Sequence, residues 1–368
     1  MYLTPALVLR RGLILSALLG ISGPNLARAA SSFIGPLGTV TLVSSTVPPN
    51  GDVNPYGVAQ VPVTKGDLVA GDFLISNFNN SMNLQGTGTT IVQIAPDGTF
   101  NQFAKIDPDD VFCPGGVGLT TALVALRSGF VIVGSLPTTD GTSATIGSGC
   151  LIVLNSRGKV VDTIVGHHIN GPWDMIAADD GSLVTLFVTN VLNGTVAAGG
   201  ETVNGGTVVR LLLSTAGPRP FVLEEAVIGS GFPERTDPAA LVIGPTGVAF
   251  DGKTGTLYIA DSLNNRITAI PNALFRFFSA GTGVTVSSGG SLNDPLGLTI
   301  APNHDVIVAN GDDGNLVEIN PSTGQQVATK LVDSSGSPPG SGALFGLVAT
   351  AAGVHFVDDA TNTFELLH

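Results

Sequence analysis

One stretch, Leu257-Tyr258-Ile259-Ala260-Asp261-Ser262-Leu263-Asn264-Asn265-Arg266-Ile267, constrains the fold more than any bulk property. It reads as an apolar strand, a polar turn and a second strand. Weaker versions recur along the chain, and self-similarity at a steady spacing marks an architecture of stacked units that bury their apolar faces against one another. Small-residue turns leading into apolar strands begin near residues 54, 116, 171, 244, 294 and 344, about 50 to 73 residues apart, which suits four short strands plus loops.

Each start is followed by a second apolar run with a polar end, as in Phe73-Leu74-Ile75-Ser76-Asn77 and Val306-Ile307-Val308-Ala309-Asn310, and then by a third strand. Turns such as Pro96-Asp97-Gly98 and Ser156-Arg157-Gly158 close the third strand and return the chain through a fourth,. The last unit stops at His368, right after its third strand. Its fourth strand is expected from residues 38–44, which precede the first repeat and would close a ring as a clasp, leaving no open sheet edge. The 49 glycines and 23 prolines supply the turns, and long helical patterns are nearly absent,.

Residues Tyr258 to Ile267 resemble the NHL repeat: aromatic, aliphatic, Ala, Asp, two variable positions, Asn, a variable position, Arg, Ile. The fifth unit keeps Val308-Ala309-Asn310 with Asn315-Leu316-Val317, the sixth keeps Val357-Asp358 with Asn362, and the first three depart further. The resemblance to NHL and SMP-30/gluconolactonase proteins implies an all-β, six-bladed β-propeller of four-stranded antiparallel blades occupying residues 30–368 as a single domain. Propellers of these kinds include lyases, lactonases and pure binding modules, so the fold does not select an activity.

Residues 1–29 carry Arg10-Arg11, an apolar run over 13–21 and Ala27-Arg28-Ala29, the order of an export signal cleaved after Ala29. The run is too short to span a bilayer; an uncleaved anchor is the weaker alternative, and the flanks of the arginine pair fit the twin-arginine export pattern poorly. The expected location is the periplasm or the extracellular space. Without residues 1–29 the chain has 12 basic and 28 acidic residues, a balance of −16, which argues against nucleic acid or an anionic membrane surface as partner. Cys113 lies just before the first strand of the second unit and Cys150 opens its third strand. In a meandering blade these positions share one end, so a disulfide is expected in an exported chain, two buried thiols being the alternative.

In a propeller, the loops before first strands and after second strands gather at one mouth of the central channel. Asp174, Asp261, Asp294 and Asn310 fall there, the kind of oxygen set that calcium takes, although Asp and Asn are also ordinary turn residues. Asp174 stands where the other five units are read as having glycine, and is a candidate base or cation ligand; a local cap for backbone amides is the plainer reading. His167 and His168, on the loop entering the third unit, are candidate general bases, but neighbours on an extended chain face opposite ways and do not share an ion. Trp173, Tyr56 and Phe345 occupy one position in three units, either as an aromatic lining for a ring-shaped ligand or as packing between blades. Insertions over 192–206 and 229–242, the latter carrying Glu234-Arg235, lengthen the third unit as lid, partner surface or tolerated loops.

No Gly-x-Ser-x-Gly elbow, phosphate loop, Cys-x-x-Cys pair or His-Glu-x-x-His helix is present,. The first expectation is a monomeric binding module for a small molecule, a glycan or an extracytoplasmic protein, with no stable membrane span. The competing expectation is a cation-dependent lactonase or lyase at the channel mouth, with calcium as its cofactor.

Overall fold

A computed structural model describes residues 1–2 and 32–368, so the expected export signal falls outside the described residues but for its first two. Residues Ser32–His368 form one compact unit of six radially arranged antiparallel sheets. The innermost strands of blades one to six are Val53–Gln60, Leu119–Ala125, Pro172–Asp179, Pro245–Asp251, Pro295–Ile300 and Leu344–Thr350. Five sheets have four strands and the third has five. Strand after strand is buried on both faces between neighbouring blades, as in Phe73–Asn79 and Cys150–Leu154, which explains why the sequence shows continuous apolar runs rather than clean alternation.

The clasp forms as expected. Val40–Ser45 pairs antiparallel with Thr363–Leu367, completing blade six with a strand from the far end of the chain. Residues 32–34 add a second tie: Glu318 accepts hydrogen bonds from Phe33 N (2.7 Å), Ile34 N (2.8 Å) and Ser32 Oγ (2.5 Å). The Cys113–Cys150 disulfide is present, with Cα atoms 5.6 Å apart.

Every blade has a β-bulge between its inner and second strands, directly after the first paired residue in five blades and after the second, Pro55, in blade one. The bulge turns the next residue inward at one end of the channel. At the position after that, a Cβ on Gly297 would lie 2.0 Å from the Phe345 carbonyl oxygen of the next blade, and one on Gly247 would lie 2.0 Å from that of Leu296. Glycine is therefore a packing requirement of the ring, since only a missing Cβ lets adjacent inner strands approach so closely.

Two sequence expectations change here. Blade two pairs Leu119 with Ser135 and then Leu123 with Val133, one residue more than the other bulges hold, so Thr120, Thr121 and Ala122 fill the bulge without a glycine, and the expected Gly118 precedes the strand. Asp174 thus replaces a glycine found in four other blades, not five. The insertion over 229–242 is also no simple loop, because the outer strand of blade three runs over Phe221–Asp237 and folds back into a fifth strand, Leu241–Ile243.

Candidate functional site

The channel has two distinct ends. At the hairpin end, inner strands turn into second strands and third strands into outer ones; at the opposite end each blade hands over to the next. The expected mouth, at the handover end, is closed. Leu241, Val242 and Ile243 are buried there with Trp173, Tyr56, Leu296 and Phe345 in one apolar cluster. Trp173 Nε1 donates to the Val242 carbonyl at 3.2 Å. Tyr56 stacks between Phe345 at 3.9 Å and Phe78 at 4.5 Å, and Trp173 lies 6.5 Å from Phe345. Trp173, Tyr56 and Phe345 are each only 4% exposed, so the three aromatic candidates are the body of a plug whose stopper is the folded-back insertion.

The four proposed cation ligands are not brought together. Asp261 is fully buried, its Oδ2 taking Arg266 Nε at 2.6 Å and Asn264 Nδ2 at 3.0 Å. The Asn310 amide donates to the Ser291 carbonyl at 2.7 Å and to Asp313 at 3.1 Å. Asp294 lines a cleft of about 300 Å³ beside the plug, with Asp237, Asp312, Asp359 and Arg235. Burial first, then the neighbouring carboxylates Asp312 and Asp237, push the Asp294 carboxyl up to about 7, and burial with Asp358 does the same for Asp359,. Asp174 lines a separate cavity. Among the described residues, no three His, Cys, Asp or Glu side chains are placed to hold one metal ion.

His167 and His168 line neither cavity. Both have positive φ, 53° and 60°, rather than extended backbone, so they do not face opposite ways as a strand would require. His167 Nδ1 pairs with Glu225 on the outer strand of blade three, and His168 Nε2 lies 3.8 Å from the same carboxylate. The arrangement ties blade two to blade three at the surface.

Below the plug the channel is open. A cavity of about 430 Å³ is walled by the inner strands of all six blades, with Val58, Leu123, Met175, Val248, Leu298 and Leu347 supplying apolar surface. It opens at the hairpin end past Gln60, Arg127 and Asp179. Asp179 is committed to that rim, accepting from Arg127 N at 2.6 Å and Gly181 N at 2.7 Å.

Among the described residues, two carboxyls line this cavity, Asp179 at its rim and Asp174 deep inside. Asp174 Oδ1 accepts from Met175 N at 2.8 Å, and its Oδ2 reaches across to Val248 N of blade four at 2.9 Å. Burial raises it to about 7 against the pull of those two N–H groups,. A carboxyl poised near neutrality in an apolar cavity can donate a hydrogen bond when protonated and accept one when ionised. An apolar pocket with few polar groups and one perturbed acid is where a small ligand or substrate is expected to sit. The sequence marked Asp174 by its departure from glycine, but it carries no signal for which end of the channel is open.

The fold and its axial cavity define a six-bladed β-propeller. Among solved structures it is similar to a Xanthomonas campestris gluconolactonase, with 13% identity and a TM-score of 0.51 over 89% of this chain and 88% of that one. It is also similar to a catalytically inactive Staphylococcus aureus virginiamycin B lyase with quinupristin, at 13% identity and a TM-score of 0.50 over 89% and 84%. A third is a Thermus thermophilus protein provisionally designated an oxidoreductase (glucose dehydrogenase), at 15% identity and 0.52 over 90% and 99%. At such identities the likeness establishes the fold alone. No protein-family model matches the sequence, and no curated protein does.

Proposed function

We propose that this chain is an exported β-propeller binding module that takes a small, largely apolar molecule into its central channel from the hairpin end. The observation that carries the reading is the 430 Å³ cavity, lined more by apolar than by polar groups, with Asp174 deep inside it, placed on rigid inner strands rather than on loops. The plug at the other end makes the channel a blind pocket. Export is supported by the order of charged, apolar and small residues over 1–29 and by the Cys113–Cys150 disulfide, a bond that persists in oxidising compartments,.

The direct test is titration with the fluorescent apolar probe N-phenyl-1-naphthylamine, comparing the protein with Ala177→Phe, whose added ring would fill the channel. Saturable binding that Ala177→Phe removes is the expected result; equal binding by both proteins would sink the reading. A cation-dependent lactonase or lyase is the second reading, favoured by the carboxyls of Asp294, Asp359, Asp312 and Asp237 around the other cleft. It requires calcium to raise the melting temperature and a chelator to lower it.

A further inference from the structure

The loop over 271–283 joins the third and outer strands of blade four, so it belongs to the hairpin end, where the channel opens. Ala273 N donates to the Gly255 carbonyl of the neighbouring hairpin at 3.0 Å, fixing it there. Its sequence includes Leu274-Phe275-Arg276-Phe277-Phe278, and the three phenylalanines are 79%, 57% and 84% exposed. Single exposed apolar residues are ordinary, but three large rings on one short loop are not.

The exposure is held in place by bonding. Arg210, buried in blade three, donates from Nε to the Arg276 carbonyl at 3.1 Å, stacks its guanidinium 5.1 Å from the Phe277 ring centre and pairs with Glu224. The Arg276 guanidinium folds back onto the Pro271 carbonyl at 3.2 and 3.3 Å. Further along, Ala280 N and the Gly281 carbonyl bond to Ile228 and Ser230 of blade three. The rings are thus presented by a fixed loop.

Charge is polarised along the ring axis, whereas exposed apolar residues occur at both ends, with Met82, Phe112 and Leu331 at the far one. Loops of the hairpin end gather Lys65, Arg127, Arg157, Lys159, Arg219 and Lys253, which brings that end close to electrical balance, and no carboxylate lies within 271–283. The opposite end holds the surplus acid, including Asp107, Asp109, Asp110, Asp312 and Asp358. Val69, Leu183, Phe221 and Val284 are also exposed at or beside the hairpin end. The repulsion implied by the overall net charge of −13 therefore originates mainly on the far side of the ring, beyond the roughly 8 Å screening length of physiological salt.

We propose that this end docks on a lipid bilayer surface, with Phe275 and Phe278 inserted among the headgroups, Arg276 facing lipid phosphate, and the channel mouth turned toward the membrane. Aromatic rings flanked by cations suit the interfacial layer, where one part of the site is apolar and the next is wet. The proposal stands on the loop and the charge distribution, and does not rest on what the channel binds.

Flotation of the full-length protein with phosphatidylcholine vesicles, alone or mixed with phosphatidylglycerol, tests it. The protein is expected to float, and the double variant Phe275→Ser, Phe278→Ser to bind at least about tenfold more weakly at an unchanged melting temperature, given the transfer energy of a phenylalanine side chain. Arg276→Gln should weaken binding to both kinds of vesicle, and more to the mixed ones, whose net negative charge adds to the phosphate contact. Because the apolar run over 13–21 is shared by all these proteins, a Phe278→Trp variant with brominated-lipid vesicles gives a second, local readout, in which quenching beyond that of Trp173 alone is expected. Absence of both the affinity loss and the quenching would overturn the proposal. Self-association that the double variant abolishes, without vesicle binding, would assign the loop to protein contact instead and overturn it as well.

Discussion

Replacing Asp174 by asparagine should change how stability depends on pH by an amount that can be worked out in advance. The folded carboxyl sits at about 7, against about 3.9 in an unfolded chain. Below pH 4 both states hold the proton and stability does not vary on this account. Above pH 4 the unfolded state releases it while the folded state keeps it, so stability falls as pH rises, until the folded carboxyl also ionises near 7. Between pH 5 and pH 8 this amounts to about 3 kcal/mol lost to the wild-type chain and absent from Asp174→Asn. The variant carries its own penalty, because an amide accepts from only one of Met175 N and Val248 N and sets an N–H₂ against the other, worth about 1–3 kcal/mol,. That penalty does not titrate. Other raised carboxyls, such as Asp294 and Asp359, are common to both proteins and cancel in the difference. Urea unfolding followed by circular dichroism at pH 5 and pH 8 gives the four stabilities. The reasoning predicts that the stability of the variant minus that of wild type increases by about 3 kcal/mol across the interval. A difference that stays constant would show that Asp174 is already ionised and hydrated at pH 5.

Three further outcomes follow from packing and chain connectivity. Cys113→Ser with Cys150→Ser should cost about 4 kcal/mol in urea unfolding, the loop-entropy value for a 37-residue separation,. Gly297→Ala should cost at least about 3 kcal/mol, because the new methyl meets a backbone oxygen that cannot rotate away,; a cost below about 1 kcal/mol would mean that the inner strands are less tightly locked than described. Glu318→Ala should free residues 32–37 from blade five, since Ser32, Phe33 and Ile34 lose their common acceptor. Limited proteolysis should then clip that segment much faster, while the core melts only a few degrees lower.

Much of the ring was legible because its determinants are local or arithmetical. The strand and turn at Leu257 to Ile267 set the repeat, the stop after a third strand called for a clasp, and the two cysteines fell at one end of one blade. The plug was not legible. Leu241, Val242 and Ile243 follow Asp237-Pro238 and read as loop, and their burial depends on a hairpin folding back over the axis to meet Trp173. The glycine assigned at 118 failed for a related reason, since one extra residue in a bulge shifts the register without altering the apolar pattern. The candidate ligands Asp261 and Asn310 looked like site residues because turn chemistry and metal chemistry use the same oxygens. Only their neighbours, Arg266 and Asp313, show which use is made of them.

The clasp also bears on the biosynthesis of the chain. Thr41 Oγ1 meets His368 Nε2 at 2.9 Å across 327 positions of sequence, so the sheet that seals the ring cannot form until the chain has been translated through His368 and that segment is free to pair. Blades made earlier can pair internally, but until then two strand edges stay unpaired and the cooperative unit is incomplete. A ring sealed by strands this far apart in sequence thus closes only after all six blades have been made, and a growing chain of this kind remains threadable until then.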